Sequence, residues 1–356
     1  MIPDFTQFSL WINIAIFVVA AVFVWRSGYR ISIFADIIAT KTGLGHALMG
    51  LLFLGGITSL PELAVAVSAA SSGNGVLAVN NLLGGVTMQV AILAVADFAI
   101  GRRALTAMVP DSVVMLQGAL NIVLLCLVVL ATLVGDYALW GIGLWSWAIA
   151  LCWVLSMWVL SKEEQRQPWI AEFRAAEGEK KHGEGREPDT KPEHGKAEEH
   201  TLSGAVIRSI VAAAIILVAG FIVTRTGEAI AEQSGLGASF MGAVFIAFAT
   251  SLPEVSTVLS AVRFGLYTMA ISDILGTNLF DLVLVFIVDA VAAGDPVLGS
   301  VGVFASVAGV LAIAVTALYV AGLAERRDWS FMRMSVDSLA VLAVYAGGVV
   351  LLYTLR

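Results

Sequence analysis

Two stretches of the chain decide its fold. Gly43–Gly73 reads GLGHALMGLLFLGGITSLPELAVAVSAASSG, and Gly235–Gly265 reads GLGASFMGAVFIAFATSLPEVSTVLSAVRFG. Each is an apolar run long enough to cross a hydrocarbon core. Each is also interrupted by the same five residues, TSLPE, at 58–62 and again at 250–254. A carboxylate beside a helix-breaking proline, placed twice in such surroundings, needs a physical reason, and the reason depends on the solvent around it.

The rest of the chain identifies that solvent. Of 356 residues 59% are hydrophobic and 13% charged, and the mean hydropathy is +0.91. An ordinary soluble domain carries about 25% charged residues. The apolar residues come in blocks of about twenty, the length of a membrane-spanning helix. The chain is therefore expected to be an all-α polytopic membrane protein embedded in a lipid bilayer. Its net charge of −7 is unevenly placed: residues 162–200 hold eight Lys/Arg and eleven Asp/Glu and so contribute −3. No basic patch with interleaved aromatics points to nucleic acid, and nothing in the sequence calls for an obligate protein partner. Cys126 and Cys152 both lie in apolar runs and are read as small buried hydrophobes, not as a disulfide. The N-terminal MIPDFTQFSLWINIAIFVVAAVFVWR lacks a basic leader and a small-residue cleavage site, so it is expected to remain as a first helix.

Ten apolar stretches can be marked, at about 8–40, 45–71, 76–100, 109–134, 138–160, 203–232, 237–262, 267–292, 298–321 and 335–354. The first and sixth are long and become amphipathic toward their C-terminal ends, as either long tilted helices or a span followed by an interfacial segment. Lys41, Arg102, Arg103, the 162–200 loop, Arg263, Arg326, Arg327 and Arg333 fall on one side of this plan. The opposite side has only Arg225 and the terminal Arg356. Lys and Arg favour cytoplasmic loops, so both termini are expected on the non-cytoplasmic side of the plasma (inner) membrane. Residues 162–200, rich in charge, Gly and Pro, are expected to form a flexible cytoplasmic linker; its histidines His182, His194 and His200 are too irregularly spaced to suggest a metal site. The chain then divides into a first five-helix unit over 1–161, the loop over 162–201 and a second five-helix unit over 202–356.

The two units are copies. A shift of 192 residues aligns them without a gap, with 18 identities over the 56 positions from 43 to 98. The identities include the whole TSLPE, the preceding GLG, and the Leu-Gly pairs at 83–84 and 275–276. Greasiness alone would match Leu with Val; it would not keep Thr, Ser, Pro and Glu in order. Five spans, an odd number, separate equivalent points, so the two five-helix repeats must be inverted. Inverted repeats are the plan of many secondary transporters, which bind their substrates near the midplane between the repeats.

That plan gives TSLPE its chemistry. Each proline lacks an N–H and clashes with the carbonyl four residues earlier, freeing the carbonyls of Ile57 and Ala249. Thr58 and Glu62 share a helix face, as do Thr250 and Glu254. Each motif thus offers carbonyl, hydroxyl and carboxylate oxygens, hard ligands that suit Ca²⁺ and similar cations. A carboxylate at mid-bilayer costs about 2.5–3.5 kcal/mol and must face the interior of the bundle. Asp281 lies 27 residues after Glu254 and one turn after Thr277; Gln89 lies 27 after Glu62, with Gly85 one turn earlier. Three carboxylates and one amide could balance Ca²⁺ with a proton, or several monovalent ions. Asn80, Asn81, Ser272, Asp273 and Asn278 are weaker candidates for lining the pathway. Asp97 is read as an interfacial partner of Arg102 and Arg103, Asp36 and Asp289 as solvated residues near span ends, and His46 as structural.

These residues resemble the sodium/calcium exchanger family of calcium/cation antiporters. The likeness rests on two LPE-type helices, each followed by a helix of the G-S/T-N-x-x-N/D kind. The second copy, FATSLPE with SDILGTNLFD, fits closely. The resemblance implies that Thr250, Ser251, Glu254, Thr277 and Asp281 coordinate ions, joined from the first half by Thr58, Ser59 and Glu62. Gln89 stands where an Asn or Asp is usual, Gly85 lacks a hydroxyl and Val86 replaces an Asn, so one sodium position departs from the pattern. The function expected is alternating-access antiport of Ca²⁺ against Na⁺ or H⁺, with ions as cargo and no cofactor. Two other readings remain: a cation exchanger without calcium coupling, and a channel using the same carboxylates as a filter. An intramembrane enzyme is not expected, since the spans hold no H-E-x-x-H and no Ser with a histidine base.

Overall fold

The computed structural model describes residues 5–100, 104–109, 112–163, 201–233, 240–292, 294–325, 330–331 and 334–355. The first repeat runs α1 (Leu10–Thr42), α2 (His46–Thr58), α3 (Leu60–Ser71), α4 (Gly75–Ile100), α5 (Ser112–Val134) and α6 (Leu144–Glu163). The second runs α7 (Leu202–Gln233), α8 (Ala243–Thr250), α9 (Leu252–Arg263), α10 (Tyr267–Val291), α11 (Gly302–Glu325) and α12 (Val336–Thr354). Eight of these are long, apolar helices, and the pairs α2–α3 and α8–α9 are bent spans, which makes ten crossings. The chain is a multi-pass, all-α membrane protein of two inverted repeats. The 162–200 loop, apart from its first two residues, lies outside the described residues, and so do its three histidines.

The long first and sixth stretches resolve into single helices, α1 and α7, which pack lengthwise on each other. They are peripheral: Trp11, Val18, Val22, Phe23, Ile207, Ile210 and Val218 stay exposed, as expected of a face solvated by acyl chains. By contrast α4 and α10 form the centre, with 72% and 67% of their spanning windows buried. Both long helices press on the opposite repeat through a glycine. A Cβ on Gly28 of α1 would meet Ser256 Oγ at 2.6 Å and the Pro253 carbonyl at 3.4 Å. On Gly220 of α7 it would meet Pro61 Cγ at 2.6 Å. Arg225, the exception on the Arg-poor side, is tied to Glu228 Oε2 at 2.8 Å and to Ser68 Oγ.

Two short hairpins, β1 (Ala138–Leu139) with β2 (Ile142–Gly143) and β3 (Ser330–Phe331) with β4 (Met334–Ser335), precede the last helix of each repeat. Trp140 and Gly141 both have positive φ (54° and 82°), the backbone a two-residue I′ turn demands. The fifth span therefore begins at Leu144, six residues later than the apolar run that starts at 138 suggests.

Three expectations are corrected. Cys126 is exposed on the flank of α5 and Cys152 half-buried, so neither is a core residue; both are free. Asp289 is buried rather than solvated, at 2% exposure. Asp97 is buried rather than interfacial, and both its oxygens accept backbone N–H groups; Arg102 and Arg103 lie outside the described residues. Asp36 is half-buried and faces His46 Nε2 at 3.1 Å.

The two aspartates do the same work in the two repeats. Asp97 Oδ1 accepts the Leu105 N–H and Oδ2 the Ser335 N–H, each at 2.7 Å. Asp289 Oδ1 accepts the Val297 N–H at 2.8 Å and Oδ2 the Gly143 N–H at 2.6 Å. All three pairs, 97/289, 105/297 and 143/335, differ by the 192-residue shift. Each aspartate thus fastens the end of a central helix to the next segment of its own repeat and to the hairpin of the other.

Candidate cation site between the repeats

In both bent spans the helix breaks at a serine, Ser59 (φ −73°, ψ −2°) and Ser251 (φ −79°, ψ 6°), and the proline falls in the first turn of the helix that follows. There its missing N–H is no loss, because the first turn has no intrahelical acceptor anyway. The bends are 42° in the first repeat and 52° in the second. Upstream of each break lies a π-helical turn, Met49–Leu54 and Met241–Ile246. Such turns loosen the backbone ladder and recur at functional sites. The break makes a new helix N-terminus inside the membrane, with Glu62 or Glu254 in its first turn, where the helix dipole favours a negative charge.

The central helices meet these breaks across the repeats. Gly84 of α4 lies against the backbone of Ala243, and Gly276 of α10 against that of Leu51, where a Cβ would come within 2.6 Å of the Leu51 Cα. The pairs 84/276 and 51/243 are again 192 apart. The repeated Leu-Gly therefore has a packing reason: any side chain there would separate a central helix from the π turn of the other repeat.

All nine sequence-predicted residues, Thr58, Ser59, Glu62, Gln89, Thr250, Ser251, Glu254, Thr277 and Asp281, are buried, none more than 5% exposed. Contacts link them across the two halves. Thr58 Oγ1 and Thr277 Oγ1 are 3.0 Å apart, and Gln89 Nε2 donates to Asp281 Oδ2 at 3.1 Å. The Thr250 hydroxyl lies beside the Glu62 carboxylate and the Thr58 hydroxyl beside that of Glu254. Yet both oxygens of Glu62 and Glu254, Asp281 Oδ1, Gln89 Oε1 and the hydroxyls of Ser59 and Ser251 have no hydrogen-bond partner. Buried polar groups are normally paired. So many unpaired oxygens beside one another leave the structure short of positive charge and of donors, which a cation and its water can supply. Among the described residues, no three acidic, thiol or imidazole side chains converge closely enough to hold a metal unaided. Any bound cation must draw on hydroxyls, amides and freed carbonyls as well.

A fourth carboxylate lies beside Glu254. Asp273, two turns before Asp281, is fully buried; Oδ2 accepts from the Thr257 hydroxyl and Oδ1 has no partner. Thr257 escaped the sequence reading: it lies outside TSLPE, and the equivalent residue of the first repeat is Val65. Asn80, Asn81 and Asn278 are also buried and have no side-chain partner. The latch aspartates were missed too, although the 192-residue alignment superimposes Asp97 on Asp289.

Broken spans from two inverted repeats, facing each other over a shared set of buried carboxylates, define a secondary transporter of cations. The chain belongs to the sodium/calcium exchanger protein family, whose profile matches residues 12–161 and 204–354. It is 26% identical over 272 residues to the inner membrane protein YrbG of Escherichia coli, covering 76% of this chain and 77% of that one. Its fold is that of the sodium-calcium exchanger NCX_Mj. A structure soaked with 100 mM Na⁺ and 10 mM Sr²⁺ matches with a TM-score of 0.65 at 16% identity, over 96% of this chain and 99% of that one. A structure free of Na⁺ and Ca²⁺ matches equally, with a TM-score of 0.65 at 16% identity over 95% and 98% of the two chains. The protein is a cation exchanger, and its family is one of transporters.

Proposed function

We propose that the protein exchanges Ca²⁺ for Na⁺ or H⁺ by alternating access. Thr58, Ser59 and Glu62 from one repeat, with Thr250, Ser251, Glu254, Thr277 and Asp281 from the other, hold the ions, and Gln89 supplies an amide oxygen. The observation that carries this reading is the pair of broken spans whose buried glutamates keep all four oxygens unpaired. The ions are cargo, and no cofactor takes part. Residues 1–161 and 202–356 act as the two five-helix halves, joined by the 162–201 loop on the cytoplasmic side of the inner membrane, with both termini on the opposite side. The bias of Lys and Arg supports that orientation, and the relation to an inner membrane protein supports the location.

All nine residues are shut away from water, so the site is occluded from both faces. The peripheral helices α1 and α7 rest on Pro253 and Pro61 through Gly28 and Gly220. Small residues at both crossings permit the pair to slide over the central bundle and open the site to either face in turn. The scattered carboxylates and the Gln89–Asp281 bond favour a second reading: an exchanger of monovalent cations without calcium coupling. Reconstitution into liposomes separates the two. Uptake of radioactive calcium is measured first under an imposed sodium gradient and then under a pH gradient. Uptake that neither gradient drives, alongside sodium–proton exchange, would replace the first reading with the second.

A further inference from the structure

The channel between α1 and α7 is lined in two distinct ways. Over much of its length it is an open apolar groove of about 780 Å³, walled by Ala15, Val19, Phe23, Val211, Ala214 and Val218. At one end it runs into a smaller cavity of about 370 Å³ that contains Ser27, Arg30, Phe34 and Arg208. The two spaces share Val211 and Ile215 in their walls, so they adjoin along the seam between α1 and α7. Among the described residues neither Arg30 nor Arg208 makes an ion pair or a hydrogen bond. Trp25 and Tyr29, exposed on α1 close to Arg30 in sequence, are residue types enriched where hydrocarbon gives way to headgroups. Arg208 sits near the start of α7, six residues after Leu202, at the end of the span next to the 162–201 loop.

We infer that this channel binds one anionic phospholipid of the leaflet facing the loop. Its phosphate is held by Arg30 and Arg208, and an acyl chain lies in the groove between α1 and α7. Guanidinium groups pair with phosphate oxygens through parallel N–H donors, and basic pockets between spanning helices suit anionic headgroups. The adjacency of the two spaces selects a lipid over a soluble phosphate, because only a lipid has both a headgroup for one and an acyl chain for the other. The occupant would touch both helices that the transport cycle has to move. Its binding is read without transport, so this inference and the functional reading fail separately.

The test is native mass spectrometry on the purified full-length protein, titrated with phosphatidylglycerol, phosphatidylcholine and glycerol phosphate. Phosphatidylglycerol should be retained far better than phosphatidylcholine. Each interfacial arginine strengthens binding about fivefold. The double change Arg30→Gln with Arg208→Gln should therefore weaken phosphatidylglycerol retention about 25-fold, and Arg30→Lys with Arg208→Lys should keep most of it. Ala214→Trp, which fills the groove, should weaken retention with both arginines intact, while Arg263→Gln should change nothing. If the double glutamine variant fails to fold, each single variant should still show its fivefold loss. Equal retention of the two lipids, or full retention by the glutamine variants, would overturn the site. Glycerol phosphate that displaces phosphatidylglycerol, with Ala214→Trp silent, would reassign the pocket to a soluble phosphate.

Discussion

The two repeats agree where they build the frame and differ where they hold charge. Asp97 and Asp289 accept equivalent N–H groups, Gly84 and Gly276 admit equivalent π turns, and both spans break at the same serine. Around the break the copies part. The first repeat has Gly85, Gln89, Asn81 and Val65 where the second has Thr277, Asp281, Asp273 and Thr257. Each of these four differences adds a charge or a hydroxyl to the second half. Two inverted scaffolds can exchange roles across the membrane only if their packing is equivalent, so packing residues tolerate little change. Discrimination between unlike cations has no such need for symmetry.

The most severe way to break the comparison is to neutralise the glutamates that remain symmetric. Glu62→Gln or Glu254→Gln keeps the shape and removes a charge that a dehydrated divalent ion requires. Each should bring calcium-coupled flux to background in liposomes while the purified protein stays monodisperse. Wild-type flux in either variant would remove that glutamate from the site.

The frame offers the next largest effect. Asp97→Ala and Asp289→Ala each strand two buried N–H groups that had a carboxyl acceptor. A buried donor left without its acceptor costs about 1–3 kcal/mol, so each variant should lose about 2–6 kcal/mol and melt several degrees lower in detergent. The two losses should be alike. A large loss in one and none in the other would show that the latches are not equivalent.

A smaller effect is expected at the carboxylate of the second half that a neighbouring hydroxyl already satisfies in part. Asp273→Asn copies Asn81 onto the second repeat. The Thr257 hydroxyl can still bond the amide oxygen, and the carboxylates nearest the break are untouched. Calcium flux should stay within about threefold of wild type, as befits one hydrogen bond weakened by roughly 0.5 kcal/mol. A collapse like that of Glu254→Gln would place Asp273 among the ion ligands.

How much of this was legible follows from the physics of each feature. Spans show as runs of apolar residues, and TSLPE stands out in them because proline and glutamate are expensive there. Inversion follows from counting spans. The π turns leave no mark, since Met49–Leu54 and Met241–Ile246 are ordinary apolar residues whose ladder is set by the other repeat packing through Gly84 and Gly276. Asp97 and Asp289 were misread because a charge at a span end is usually solvated. Only the fold brings the hairpin ahead of α12 to Asp97 and the hairpin ahead of α6 to Asp289. Thr257 was invisible because it belongs neither to TSLPE nor to the run around Thr277 and Asp281, and no twin marks it.

The mildest change sharpens the comparison by making the first half more like the second. In the first repeat Gly85 has room: an added Cβ would lie 3.7 Å from Asp281 Oδ2 and 3.9 Å from Gln89 Nε2, ordinary contact distances. Gly85→Ser therefore fits without moving backbone, and it places a hydroxyl beside a carboxylate that now bonds only Gln89. Gln89→Asn shortens the amide and frees Asp281 from that bond. If the exchanging ion is Na⁺, the double variant gains an oxygen ligand and should raise apparent sodium affinity a few-fold, roughly the effect of one added ligand worth about 1 kcal/mol. Calcium binding at the glutamates should barely change. If the exchanging ion is H⁺, the three carboxylates already take up and release protons, and the double variant should leave proton-driven exchange nearly unaltered. Calcium flux titrated with sodium at fixed pH, in wild type and variant, decides between them. A wild type indifferent to sodium, joined by an equally indifferent variant, would mean that the asymmetry at Gly85 and Gln89 serves proton coupling instead of sodium.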